Sequence, residues 1–509
     1  MKKYKLHVLL PLLLLSLILA TCTNLDETPF SAVTPENFYN TEAELIAAVM
    51  PVYATLRDYS WGDYMQLQEH SSDELFVPQR GGDWGDGGFW REIHDHKWTP
   101  NHGAVNGAWV SAYGGIARAN STLENLASSP SSSPLKPVFT AEVRVLRAFY
   151  YWWLVDLYGG VPVVTAAIVD PKNPPTPNTR QEVYNFIVKE ITEALPSLET
   201  THSSANFGRV TKGAANALLA TVYLNAEVYT GTPKWSECVQ ACEAVINSGL
   251  YNLLPSYAEV FKLANEGPSN SETIWTVGHK ALDGVGFFRF MATLHYNQLP
   301  QNPWNGFSVL ADFYNKFDTT DARHDHMLVG PQFVLGGPNA GQPAFDRNGN
   351  RLDFTPGSPI VGASESNGVR ILKWSVDPAQ NGGNAGNDFA IFRYSHILLT
   401  KAEALNELNG PTQQSIDLVN QVRARCFDPD KPIALANFSS KQALRDRLLD
   451  ERGFELLWED FRRQDLVRTG KFLDAWTLKA PSDGAHRKLF PVPQSQLDAN
   501  PNLRQNPGY

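Results

Sequence analysis

The chain has 509 residues, 43% hydrophobic and 19% charged, the balance of an ordinary globular protein, which excludes extended disorder, collagen or a coiled coil as its main state. Its formal net charge is −10, from 43 Lys and Arg against 53 Asp and Glu; without Lys2, Lys3 and Lys5 the count is 40 against 53, or −13. No basic patch interrupts that acidity, so no nucleic-acid partner is expected. The 13 Trp, 18 Tyr and 26 Phe are flat rings that can serve as core, interface or carbohydrate platform.

In chain order, the first segment carries three lysines and then an apolar run from Val8 to Ala20. That run is shorter than the ~20 residues a helix needs to cross a bilayer, so residues 1–21 are expected to be an export signal. It ends in Leu19-Ala20-Thr21-Cys22, which resembles the bacterial lipobox. Cys22 would then be the lipidated first residue of the mature protein, with simple secretion as the alternative. Residues 22–40 read as a polar tether.

Helical periodicity follows over 43–59, 105–127, 140–158, 181–198, 211–228, 235–248, 394–409, 413–425 and 441–469. The expected organisation is a helical region over 41–250 and a second region over 251–509, in one compact unit. Residues 251–392 are rich in Gly, Pro, Asn and aromatics, with short β-like runs such as ETIWTVG, and long irregular segments on a rigid frame usually carry function. DRNGNRLD from Asp346 has its glycine and its last position wrong for a calcium loop and reads as an Asn-Gly hairpin turn. Cys238 and Cys242, four apart on one helix, read as small core residues; with Cys426 remote, no zinc site is expected.

Six segments in order then resemble one family. They are RVLRAFYYWWLVDLYGGVPVV from Arg144, GRVTKGAANALLATVYL from Gly208, FRYSHILLTKAEALNELNG from Phe392, LVNQVRARC from Leu418, ERGFELLWEDFRRQDLVRTGKF from Glu451 and LFPVPQSQLDANPNLRQNPGY from Leu489. Over essentially its whole length the chain resembles the SusD/RagB nutrient-uptake lipoproteins of Bacteroidetes. The resemblance implies a mostly α fold, with four tetratricopeptide-like helix pairs supporting a loop-rich, ligand-binding face with short β-hairpins. It also implies surface capture of oligosaccharides, or in some branches peptides. The partner would be a SusC-like TonB-dependent transporter, with the protein lipid-anchored in the outer membrane, facing the cell surface, and with no chemistry and no required cofactor. In the Glu451 segment, Glu451, Glu455, Glu459, Arg452, Arg462 and Arg463 fall at spacings that permit ion pairs along one helix face.

Sugar capture without catalysis needs flat rings beside hydroxyl partners. The glycine-rich segment from Ser71 supplies Arg80, Asp83 and Trp84, which the glycines are expected to expose. The segment from Gly284 supplies Phe288, Tyr296, Trp304 and Asn305. Trp90 and Trp98 read as core. His94-Asp95-His96, taken as extended, would point both histidines to one side with no further ligands in view, so structural contacts are expected and no metal. No G-x-S-x-G, H-E-x-x-H or Walker signature occurs. A peptide-binding member of the family, a surface glycosidase and a protein-holding scaffold stand as alternatives.

Overall fold

The computed structural model describes residues 39–509 except 202 and 285; the signal segment, Cys22 and most of the 22–40 tether lie outside the described residues. Thr41 opens the first helix among the described residues, α1 (Glu42–Ala54), with a reciprocal cap: its hydroxyl accepts from Glu44 N at 3.3 Å and the Glu44 carboxylate accepts from Thr41 N at 2.8 Å. The frame continues with α2 (Asp63–Glu69), α3 (Gly103–Ser128), α4 (Lys136–Leu157), α5 (Arg180–Ala194), α6 (Lys212–Leu224) and α7 (Trp235–Ile246). After the loop-rich segment come α8 (Tyr394–Asn409), α9 (Gln413–Ala424), α10 (Lys441–Leu456) and α11 (Arg462–Thr469). Neighbours in sequence pack together, α3 on α4, α4 on α5, α6 on α7 and α8 on α9. The molecule is helix-rich with few, short strands, the mostly α class expected.

Helix α4 is apolar nearly all round and lies at the centre, with Phe149, Tyr150, Tyr151, Trp152 and Trp153 fully buried. One core cluster runs from Leu45 to Leu503, and a smaller one, including Leu398, Ile416 and Leu448, fills the space between α8, α9 and α10. The strands are two- to five-residue pairs. β1 (Leu75–Phe76) meets β3 (Ser308–Val309) antiparallel, with Leu75 opposite Val309, and β2 (Thr273–Val277) meets β4 (Phe389–Arg393). The β1–β3 pairing brings the glycine-rich segment after β1 beside the residues just before β3.

Three local expectations are corrected. The run 441–469 is not one helix: it stops at Leu456 and restarts at Arg462, with Trp458 and Asp460 at φ of 60° and 69°. Tertiary partners hold this break, since Glu69 accepts from Asp460 N at 2.6 Å and Arg289 donates to the Trp458 carbonyl at 2.7 Å. The six charges expected to pair with one another along one helix face do not do so. Glu455 meets Arg425 at 2.6 Å and Arg393 at 3.0 Å, Glu459 meets Arg393 at 2.7 Å, and Arg463 reaches Asp156 at 2.8 Å. Burial pushes the Glu455 carboxyl up, but Arg425, Arg393 and Arg323 outweigh it and hold it at about 2. Finally, His94 closes a short helix, Phe89–His94, and is not in an extended run.

Candidate functional site

Phe307, fully buried at the entry to β3, is the hub of an aromatic layer. Its centroid lies 5.8 Å from Trp61, 5.6 Å from Trp84 and 5.4 Å from Trp90, and His70 abuts it edge-on at 4.3 Å. Trp304 continues the layer outward, 5.6 Å from Trp61 and stacked on Phe288 at 6.1 Å and 26°. Trp61, Trp84, Phe288 and Trp304 are each half-buried, so their rings are fixed by packing while part of each stays open. Backbone bonds set the position of Trp304: the short helix Arg289–Thr293 accepts from Trp304 N at 2.7 Å and from Gly306 N at 2.8 Å through the Met291 and Ala292 carbonyls.

The two tryptophans chosen from sequence are joined directly, since the Trp84 indole donates to the Trp304 carbonyl at 2.8 Å. Trp84 sits at φ 63° and Asn305 at φ 51°, conformations that cost a non-glycine residue energy and persist where surrounding structure enforces them. A Cβ on Gly306 would run into the Trp84 indole, so glycine is needed for the ring to lie down there. Trp84 and Trp90 also line a cleft of about 360 Å³ with Gln79, Arg91, Ile360 and Val361. A groove of about 450 Å³ beside Tyr113 and Val110 is larger, but it contains none of the residues chosen from sequence.

Arg80 is not exposed as expected, and Asn305, a candidate ligand contact, is buried as well. Arg80 is 2% exposed and donates to the Asn305 carbonyl at 2.8 Å, the Ser364 carbonyl at 2.6 Å and Ser308 Oγ at 2.9 Å. Asn305 is fully buried, its Oδ1 accepting from Arg370 Nη2 at 2.8 Å. Both act beneath the surface, pinning the loop that carries Trp84. The reason is the β1–β3 pairing, which draws residue 80 inward even though glycines follow it.

Asp83 and Tyr296 do lie at the rim together. The Tyr296 hydroxyl donates to Asp83 at 2.6 Å, and Arg347 donates to the same carboxylate oxygen at 2.9 Å. Arg347 lies over the Tyr296 ring at 4.2 Å and also pairs with Glu365, which His295 meets at 2.8 Å. Hydrogen bonds from Tyr296 and Arg347 lower the Asp83 pKa; burial lowers that of His295 in spite of Glu365. Burial and Asp83 raise Tyr296 above its ordinary value.

Sequence reasoning missed Trp61, Arg347 and Glu365. Trp61 stands just past a helix end and beside Gly62, a signal that could have found it. Arg347 lies in the Asn-Gly turn, where Asp346 accepts from Asn348 N at 2.9 Å and Asn350 N at 2.8 Å; nothing local marks it as a rim residue. Trp98 is core, 1% exposed and donating to the Tyr509 hydroxyl at 2.7 Å, whereas Trp90 is half-buried. His96 makes bonds of 2.8 Å to Ser482 and the Ser71 carbonyl. Among the described residues, no group of three or more His, Cys, Asp or Glu is placed to hold a metal, and no helix is long and apolar enough to cross a membrane.

Comparison with known proteins shows what the chain as a whole is similar to. A model described as SusD family matches residues 271–509, and one described as starch-binding associating with outer membrane matches 25–224. SusD-like protein P2 of Formosa agariphila is 25% identical over 532 residues, covering 100% of both chains. The starch-binding protein SusD of Bacteroides thetaiotaomicron is 26% identical over 462 residues, 81% of this chain and 80% of that one. Surface glycan-binding protein A of Bacteroides thetaiotaomicron, solved with laminarihexaose, superposes with a TM-score of 0.73 at 22% identity, covering 92% of this chain and 100% of the other. Matched by SusD-type models over residues 25–224 and 271–509, the chain is a SusD-like protein.

Proposed function

We propose that this protein captures glycans at the bacterial surface on the half-buried rings of Trp61, Phe288 and Trp304, beside Trp84. It is held at the outer membrane through lipid on Cys22 and passes its ligand, unaltered, to a SusC-like TonB-dependent transporter. The observation that carries the reading is the ring surface itself: four half-buried aromatics fixed in place on one face, the arrangement on which the C–H face of a sugar stacks. The names of relatives, starch-binding and glycan-binding, support it. A lipid-held protein beside its transporter keeps released ligand at high local concentration, so weak binding suffices.

A glycosidase reading finds little support at this surface. Hydrolysis needs one protonated carboxylic acid, but Asp83 and Glu365 both meet Arg347 and both have lowered pKa values. Peptide capture is the second reading. Native gels cast with starch, laminarin, xylan and pectin, run beside calorimetry on a peptide digest, separate the two. Retardation in a polysaccharide gel, lost in Trp304→Ala, is the expected result. No retardation together with clear heat from the digest would move the protein to the peptide-binding branch.

A further inference from the structure

Two buried arginines lie beneath the ring surface without a carboxylate. Arg80 donates only to carbonyls and to Ser308, as described above. Arg370, fully buried, donates to Asn305 Oδ1 at 2.8 Å, Ser308 Oγ at 2.8 Å and the carbonyls of Asn367 at 2.8 Å, Gly368 at 2.5 Å and Glu365 at 3.0 Å. Every other buried arginine among the described residues meets an acid, as Arg289 meets Asp460 at 2.6 Å and Arg463 meets Asp156 at 2.8 Å. An unneutralised buried charge is costly, and here two stand close enough for each to feel the other. Burial and Arg80 together depress the Arg370 pKa.

Above them sits Arg347, whose side chain is 51% exposed. Its Nε and Nη2 are taken by Glu365 and Asp83, while Nη1 makes no hydrogen bond among the described residues. Arg80, Arg370 and Arg347 balance Asp83, Glu365 and the turn residue Asp346, three against three, and burial lowers the His295 pKa. The two arginines without a carboxylate partner are the buried ones, which solvent and salt screen least. On a chain of net charge −10 this is a local departure from the overall acidity.

We propose that the glycan taken by this site is acidic, with a carboxylate or sulfate ester of the sugar seated at Nη1 of Arg347 and attracted by the field of Arg80 and Arg370. This rests on the glycan reading above. Charge-assisted hydrogen bonds from a guanidinium fork suit an anionic oxygen group better than a hydroxyl.

The test is calorimetry on the full chain with three oligosaccharides of equal length: oligogalacturonate, a sulfated carrageenan oligosaccharide and neutral laminarin oligosaccharide. An acidic probe is expected to bind about ten-fold tighter than the neutral one at low salt, an advantage that shrinks in strong salt. Arg347→Gln is expected to bring the affinity for the acidic probe down to that for the neutral one. The carboxylate and sulfate arms tell the two acidic groups apart. If the neutral probe binds as tightly as both acidic ones, and Trp304→Ala abolishes its binding, the acidic inference fails and the glycan reading stands. Heat from none of the three overturns both.

Discussion

At the residue scale, Gly306 is the most exacting position. It has no catalytic chemistry to offer and no side chain to bind with, yet the Trp84 indole lies where its Cβ would be. Gly306→Ala is expected to lift Trp84 off Phe307, weakening glycan binding several-fold at a stability cost of about 1–3 kcal/mol from overpacking. Near-ultraviolet circular dichroism and calorimetry check the two halves; unchanged aromatic signals and affinity would contradict the account. The sequence singled out Trp84 and Trp304 because glycine, proline and asparagine surround them, and the fold brings the two together. It misplaced Arg80 because the same glycines suggest exposure, whereas the strand pairing that buries residue 80 joins it to partners more than 200 positions away. Arg347 was unreadable for the same reason: its role comes from Asp83 and Glu365, not from its own turn.

At the scale of elements, helices with a strong period and a cap were legible and interruptions imposed from outside were not. The segments 394–409 and 413–425 match α8 and α9 nearly residue for residue. The break between α10 and α11 was invisible, because ELLWEDFRRQ has good helical spacing and is overridden by Glu69 and Arg289. The carboxylates flanking this break bind the helices to the loop-rich segment. Glu455→Gln would leave Arg393, Arg425 and Arg323 short of a buried counter-charge, with an expected loss of about 3–5 kcal/mol by urea titration. The sign with pH follows from the depressed Glu455 pKa of about 2. Its contribution is present above the ordinary carboxyl value of about 4.3 and is lost as pH falls from there toward 2. The parent should therefore lose stability steeply in that window and Glu455→Gln less so; parallel curves would contradict the assignment.

For the whole molecule, the helical frame and the loop-rich middle form one continuous core from Leu45 to Leu503, and the alkaline limb of its stability has a separate source. Glu266 is raised to about 9 by burial and by its neighbour Asp388, so the pair keeps a proton at neutral pH. A raised carboxyl stabilises below its ordinary pKa and loses that contribution as pH rises through the folded value. Tm should thus decline from pH 6 to 9, and Glu266→Gln, which keeps a neutral donor, should flatten the decline. An equal slope in parent and variant would remove Glu266 from the explanation. The fold class was legible because six long segments carry it. The proposed binding surface was half legible, since its rings come from three distant stretches, around residues 61, 84 and 288–304, that only the fold assembles.

The most direct measurement is calorimetric titration of a retained glycan into the parent, Trp304→Ala and Val110→Asp, the last placed in the larger groove beside Tyr113. The account predicts that Trp304→Ala loses at least about ten-fold in affinity, or about 1.4 kcal/mol, while Val110→Asp binds like the parent. Loss of binding in Val110→Asp with Trp304→Ala unaffected would contradict it and move the site to the groove.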